Sequence, residues 1–258
     1  MKDWKWSERG IAVFGVLILL LVLFAASSPE YFRNFGFKMR YDTIAFFGTR
    51  EKMDAINSES IDAVKKNGGE LTIIVHGTAT EYYQDVYGTA LLFRERGLNV
   101  VSFDYDYKAD PDISAQRLSR YVEMLRAETG VGKVNIIGIC LGGMLVRYYV
   151  EQYDGARFVD HLITAGSPVN VIPATDPAYQ YNRFFSFDPV PWNAVSAKIQ
   201  GKSSVEKNMY IYCERDYAVR TKYQVGTVGN YVGMDCGHTF LSINPEILTA
   251  DLNFITGN

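Results

Sequence analysis

The stretch that most restricts the fold is Lys133-Val-Asn-Ile-Ile-Gly-Ile-Cys-Leu-Gly-Gly-Met-Leu-Val-Arg147. Val134 to Ile137 is a β-branched run suited to a buried parallel strand, and Leu141 to Tyr153 has the spacing of an amphipathic helix. Between them Gly138-Ile-Cys140-Leu141-Gly142-Gly143 forms a G-x-nucleophile-x-G-G turn, with cysteine where serine more often sits. A turn that reverses the chain so abruptly needs small neighbours and holds its central residue at strained dihedrals. The strain lifts that side chain off the sheet, at the positive end of the following helix. This is the pattern of a nucleophile elbow. It makes Cys140 the candidate for acyl-transfer chemistry.

A chain of 258 residues can bury one sizeable core, and the hydrophobic fraction of 48% suits a globular domain with one apolar segment. The net charge of -3, with no basic run, argues against a nucleic-acid partner. Cys140, Cys213 and Cys236 have neither metal-ligand spacing nor the pattern of a disulfide framework, and His76, His161 and His238 show no H-E-x-x-H spacing. No metal and no cofactor is expected.

The apolar segment is Ile11 to Ala26, preceded by Lys2, Lys5 and Arg9. At roughly 1.5 Å per residue it is at the short end for crossing a bilayer. Trp4 and Trp6 on one side, with Tyr31 and Phe32 on the other, stand where interfacial aromatics are found. An uncleaved anchor within residues 1–30 is expected. The alternative is export after cleavage at Ala25-Ala26-Ser27, against which Asp3, Glu8 and Pro29 count. Arg33, Lys38 and Arg40 balance the preceding cations, so charge does not set the side of the membrane.

Residues 31–258 read as one catalytic domain. Phe37 to Phe47 is an opening strand or a linker, and Ser58 to Asn67 a helix ended by Gly68-Gly69. Strands are expected at Leu71–Val75, Val100–Phe103, Val134–Ile137, His161–Ala165 and Met209–Cys213. Helices are expected at Tyr82–Arg96, at Ser114–Thr129 with a cap at Asp112 or Ser114, and from Pro245 to about Ile255. Strands of about five residues alternating with helices imply a mostly parallel sheet covered on both faces, with reactive groups beyond its carboxyl ends. The segment from about 168 to 207 is too long for a connector. Its prolines and aromatics, among them Tyr179, Tyr181, Phe184 and Trp192, suit a small cap over an apolar substrate or simple packing onto the domain.

A thiol nucleophile needs a base, and the base a carboxylate to fix its tautomer. His161 begins a strand, where a structural role is expected. His238 lies in the loop Met234-Asp-Cys-Gly-His-Thr-Phe240 before the last helix and is the expected base. Asp216 follows a strand through Glu214-Arg215 and is the expected acid. Asp235, three residues before His238, would struggle to reach round to Nδ1, and Asp188 is weaker still. The backbone amides of Leu141 and Thr78 are the expected oxyanion donors, and His76 orders that second loop. Cys213 and Cys236 precede the acid and base, so an oxidised pair is open to them outside the cytoplasm.

Over residues 70 to 255 the elbow, His76-Gly77, Asp216 and His238 occur in the order that resembles the α/β-hydrolase superfamily. Within it, Asp104-Tyr-Asp-Tyr-Lys-Ala-Asp110, Val134 to Gly143, Leu162 to Asn170 and Tyr210 to Asp216 are similar to polyhydroxyalkanoate synthases. Val75-His-Gly77 and Gly166-Ser-Pro168 look more like microbial lipases. The superfamily resemblance implies an acyl ester or thioester as substrate, with Cys140, Asp216 and His238 as the triad. The synthase resemblance implies transfer from acyl-CoA to an alcohol through an acyl-cysteine. A third expectation is a membrane-tethered binding protein that has lost turnover; the complete set of nucleophile, acid and base counts against it.

Overall fold

The computed structural model describes residues 48–78, 82–184, 189–238, 241 and 244–257. These lie within Tyr41–Asn258, a unit distinct from Met1–Arg40. The apolar segment 11–26, its possible cleavage site and the stretch Phe37 to Phe47 fall outside the described residues. Among the described residues no helix is long and apolar enough to cross a membrane.

In chain order the elements are α1 (Arg50–Asn67), β1 (Leu71–Val75), α2 (Tyr82–Glu95), β2 (Asn99–Phe103), α3 (Pro111–Thr129), β3 (Val134–Ile139) and α4 (Leu141–Gln152). A short 3-10 turn leads to β4 (Val159–Ala165), followed by α5 (Pro177–Phe184), α6 (Pro189–Ile199), β5 (Lys207–Cys213), α7 (Thr221–Gln224), β6 (Tyr231–Met234) and α8 (Pro245–Thr256). The strands form one sheet in the order β2-β1-β3-β4-β5-β6, and every pairing is parallel.

β1 and β3, in the middle, are buried at every residue. Leu71, Ile73 and Val75 of β1 and Ile136 of β3 join one large core cluster with Leu118 of α3, Leu145 of α4 and Ile199 of α6. The alternate residues Ile74 and Ile137 are equally buried, as strand geometry requires when both faces are covered. The two sheet edges differ. Along β2 the N–H groups of Val100 and Ser102 are taken by Ser60 Oγ (3.1 Å) and Asn57 Oδ1 (2.9 Å) of α1, which blunts that edge. At the other end β6 has only four residues, none of them fully buried.

Two sequence expectations need correction. The first helix starts at Arg50, capped by Thr49, because Met53 and Ile56 continue the buried stripe of Ser60 and Val64 through an otherwise charged stretch. The cap of α3 is Asp110, whose side chain accepts the Asp112 N–H, with Pro111 in the first turn where its missing N–H costs nothing. The oxidised pair that the sequence left open to Cys213 and Cys236 is formed. The long insertion between β4 and β5 carries α5 and α6, and α6 lies against α4 and α3.

Candidate active site

The elbow is built as its sequence demands. Cys140 caps α4 with φ 51° and ψ -117°, a left-handed conformation that a β-substituted residue adopts only under constraint. Its N–H is held by Ala165 O at 2.8 Å, and its carbonyl accepts Gly143 N–H at 3.1 Å. A Cβ on Gly142 would run into the Val75 and His76 carbonyls, and one on Gly138 would meet the Gly142–Gly143 backbone. Helix, strand and neighbouring loop therefore approach each other at backbone distance, and only glycine fits. The same approach brings the loop after β1, which carries Thr78, against the turn that carries Leu141.

The structure brings Cys140, His238 and Asp216 together. Cys140 Sγ lies 3.1 Å from His238 Nε2, and His238 Nδ1 lies 2.8 Å from Asp216 Oδ2. The Cys140 side chain is half-buried and free. The other oxygen of Asp216 accepts the N–H groups of Ala218 (2.9 Å) and Val219 (2.8 Å). Burial works against charge on His238. The charge of Cys140 and the hydrogen bonds to Asp216 and Cys140 outweigh it and hold the imidazole well above the usual histidine range.

Gln224 is a neighbour of Asp216 that no motif signals. Its buried amide donates to Asp216 Oδ2 at 3.1 Å and to Val219 O, and its Oε1 accepts Cys213 N–H at 3.0 Å. It ties the acid loop to the end of β5 and completes the set of donors around the carboxylate. A glutamine in a four-residue helix leaves no periodic trace in sequence.

His76 is not a second base. Its Nδ1 faces Gly77 O at 2.8 Å and its Nε2 accepts Tyr105 N–H at 3.3 Å, so both ring nitrogens are engaged in the neutral tautomer. Tyr105 returns its hydroxyl to His76 O at 3.2 Å, and the rings lie 4.5 Å apart. Trp192 of α6 closes against this pair from the cap side, donating to Tyr107 O at 3.3 Å. His161 sits at the amino end of β4, bonded to Asn135 Oδ1 at 2.9 Å and edge-on to Phe254, away from the site. Asp235 is paired with Arg215, both exposed, and does not contact the imidazole of His238. Asp188 lies outside the described residues.

The insertion between β4 and β5 is tied to the segment after β5. Asp176, ahead of α5, accepts the Tyr223 hydroxyl at 2.6 Å and Ala178 N–H at 2.9 Å, with Lys222 at 3.1 Å. These hydrogen bonds, led by Tyr223, hold its carboxyl down to about 2. A cavity of about 440 Å³ lies between the start of α3, α4 and α6, lined by Lys108, Asp112, Tyr148, Val195 and Lys198. None of Cys140, Asp216 and His238 borders it, so it is distinct from the reacting groups. Among the described residues no cluster of side chains suited to a metal ion occurs.

A parallel sheet with a strained turn after its third strand, Asp216 after its fifth and His238 after its sixth has the arrangement of the α/β-hydrolase fold. Residues 75–195 match the family model of the alpha/beta hydrolase fold. Among solved structures the chain is similar to a Bacillus licheniformis lipase, at 13% identity and a TM-score of 0.55, over 70% of this chain and 89% of the lipase. It is also similar to a marine microorganism esterase (15%, TM-score 0.53, 72% and 95% covered). A third is a membrane phospholipase A described as a bacterial virulence factor (14%, TM-score 0.51, 95% and 98% covered). At such identities the likeness speaks for the fold.

Proposed function

We propose that this α/β hydrolase cleaves an acyl ester or thioester through Cys140, with His238 as base and Asp216 as orienting acid. The observation that carries the proposal is the continuous contact from Cys140 Sγ through both nitrogens of His238 to Asp216 Oδ2, at 3.1 and 2.8 Å. With the proton on Nε2, the sulfur attacks the substrate carbonyl carbon. The resulting oxyanion is met by the amides of Leu141 and Thr78. His238 passes its proton to the leaving alcohol or thiol as the C–O or C–S bond breaks, leaving an acyl-cysteine. Water, deprotonated by the same ring, then releases the acid and restores the thiol.

One chemical observation favours a second outcome. Exchange between an acyl thioester and a cysteine thioester is nearly isoenergetic, so the acyl-enzyme could wait for an alcohol, as in polyhydroxyalkanoate synthases. The Cys213–Cys236 bond weighs against it, because disulfides persist in oxidising compartments and acyl-CoA is cytoplasmic. We accordingly place the domain on the oxidising side of a membrane to which residues 11–26 anchor it. Protease access in sealed vesicles of known orientation tests that placement; protection in right-side-out vesicles contradicts it.

The activity is tested on the full chain in detergent. Short and medium p-nitrophenyl esters, and acyl-CoA with and without an alcohol, are offered in parallel. Free acid released without dependence on the alcohol supports the hydrolase, and acceptor-dependent ester formation supports the transferase. Absence of turnover together with no alkylation of Cys140 by iodoacetamide would leave only a binding protein.

A further inference from the structure

The base of this site stands on the least supported strand of the sheet. β6 is four residues long, ends the sheet and is nowhere fully buried. Beyond it the main chain contributes Glu214 N–H to Met234 O at 3.0 Å and Arg215 N–H to Cys236 O at 3.1 Å. The Arg215–Asp235 ion pair crosses the same gap, but its side chains are 61% and 52% exposed, where such pairs add little. What joins the two loops covalently is the Cys213–Cys236 bond, with the Cα atoms 4.8 Å apart. Cys213 closes β5 three residues before Asp216, and Cys236 lies two residues before His238. One bond thus connects the supports of acid and base at almost the shortest possible distance from each. On its inner side Cys213 is fixed again, by its N–H to Gln224 Oε1 and its carbonyl to Thr221 Oγ1 at 3.3 Å.

We propose that the Cys213–Cys236 disulfide is a positioning clamp for the reaction, holding His238 between Asp216 and Cys140, so that the oxidised protein turns over and the reduced protein does not. The proposal rests on the assignment of those three residues as the reacting groups. Its consequence runs opposite to the usual behaviour of thiol enzymes. A reductant protects an exposed nucleophilic cysteine, whereas here it releases the base that activates it. With a water-soluble phosphine the S–S bond breaks, the two sulfurs take up two electrons and two protons, and the phosphine leaves as its oxide with the oxygen of one water. Cys140 takes no part in that exchange. The phosphine, unlike a thiol reductant, offers no group that could accept the acyl chain.

The test compares the full chain in detergent, oxidised and phosphine-reduced, the latter verified by the mass gain of two hydrogens. The Cys213→Ala/Cys236→Ala double variant is the genetic counterpart. Reduction is expected to lower kcat by about tenfold to a hundredfold, the scale of a displaced catalytic group, with KM little changed. The pH at which Cys140 becomes reactive to iodoacetamide should move upward, and the double variant should match the reduced protein and ignore the phosphine. Equal kcat and equal alkylation profiles in the two forms would overturn the clamp while leaving the hydrolase assignment intact. Loss of cooperative melting at the assay temperature on reduction would also overturn it, by making the bond a staple of the fold. If neither form cleaves an ester but their alkylation profiles differ, the clamp stands and the assigned activity falls. Should the double variant fail to fold, reduction of the folded protein in place decides alone.

Discussion

The proposed nucleophile and its proposed partners are held by opposite means. Cys140 stands at the carboxyl end of β3, an interior strand that is fully buried like its neighbour β1, on a turn so close-packed that a single added methyl has no room. Asp216 and His238 follow the last two strands; β5 is largely buried but β6 nowhere fully so, and beyond their ends polar and covalent links take over. Packing fixes the first group through many small contacts, none of which is dispensable alone. The second is fixed by a few specific bonds: one disulfide, one buried glutamine and two backbone amides. The first kind of support is sensitive to volume. The second is sensitive to redox state, pH and the loss of single polar atoms.

That difference can be tested by substitutions in each half. The largest effect is expected for His238→Ala, which should lower kcat by about 10⁴-fold or more with the fold retained, as ester turnover and circular dichroism together would record. Gly142→Ala strikes the packed half. Its methyl meets the Val75 and His76 backbone, which cannot retreat, so a loss of about 1–3 kcal/mol in denaturant melts is expected, with turnover falling as the elbow shifts. If Gly142→Ala melts like the parent, the elbow is looser than its backbone contacts require.

Gln224→Ala strikes the edge half. It leaves Cys213 N–H and one lone pair of Asp216 without their partners, costing about 1–3 kcal/mol of stability. A tenfold fall in kcat is expected on the same scale, about 1.4 kcal/mol of transition-state stabilisation. A Gln224→Glu variant that keeps the volume but cannot donate to Asp216 should be no better. The smallest effect is expected at Asp176. Its carboxyl is held down to about 2, below the ordinary value of 3.8, so its contribution is complete above about pH 4 and is lost as pH falls toward 2. Asp176→Asn should therefore lower the melting temperature at neutral pH and converge with the parent in acid. Curves that stay parallel down to the lowest pH would mean that the cap latch contributes nothing.

The packed half was legible in the sequence for the same reason that it is rigid. β-branched runs, an invariable need for small residues and a helix start leave a local signature, and the elbow, β1 and α8 stand where it places them. The chain order of Asp216 and His238 was legible too, because strand ends repeat. What escaped were contacts between residues distant in sequence. Gln224 acts across a loop eight residues from Asp216, and although Cys213 and Cys236 could be named as a pair open to oxidation, no framework of further cysteines required their bond over 23 residues. The early turns of α1 were hidden by charge, since only Met53 and Ile56 mark their buried side. Thr78 and Leu141 are proposed as amide donors because a turn and a helix start fix backbone N–H directions, whatever the side chains are.

The central claim is that the acyl group passes through the sulfur of Cys140. Mixing the oxidised full chain with a p-nitrophenyl ester, quenching in acid and mapping the mass of the modified peptide measures this directly. The account predicts one acyl group on the peptide Gly138–Gly143, removable by neutral hydroxylamine and absent from Cys140→Ala, which should also be inactive. An acyl group on another residue, or a Cys140→Ala protein that still cleaves the ester at the parent rate, would contradict it.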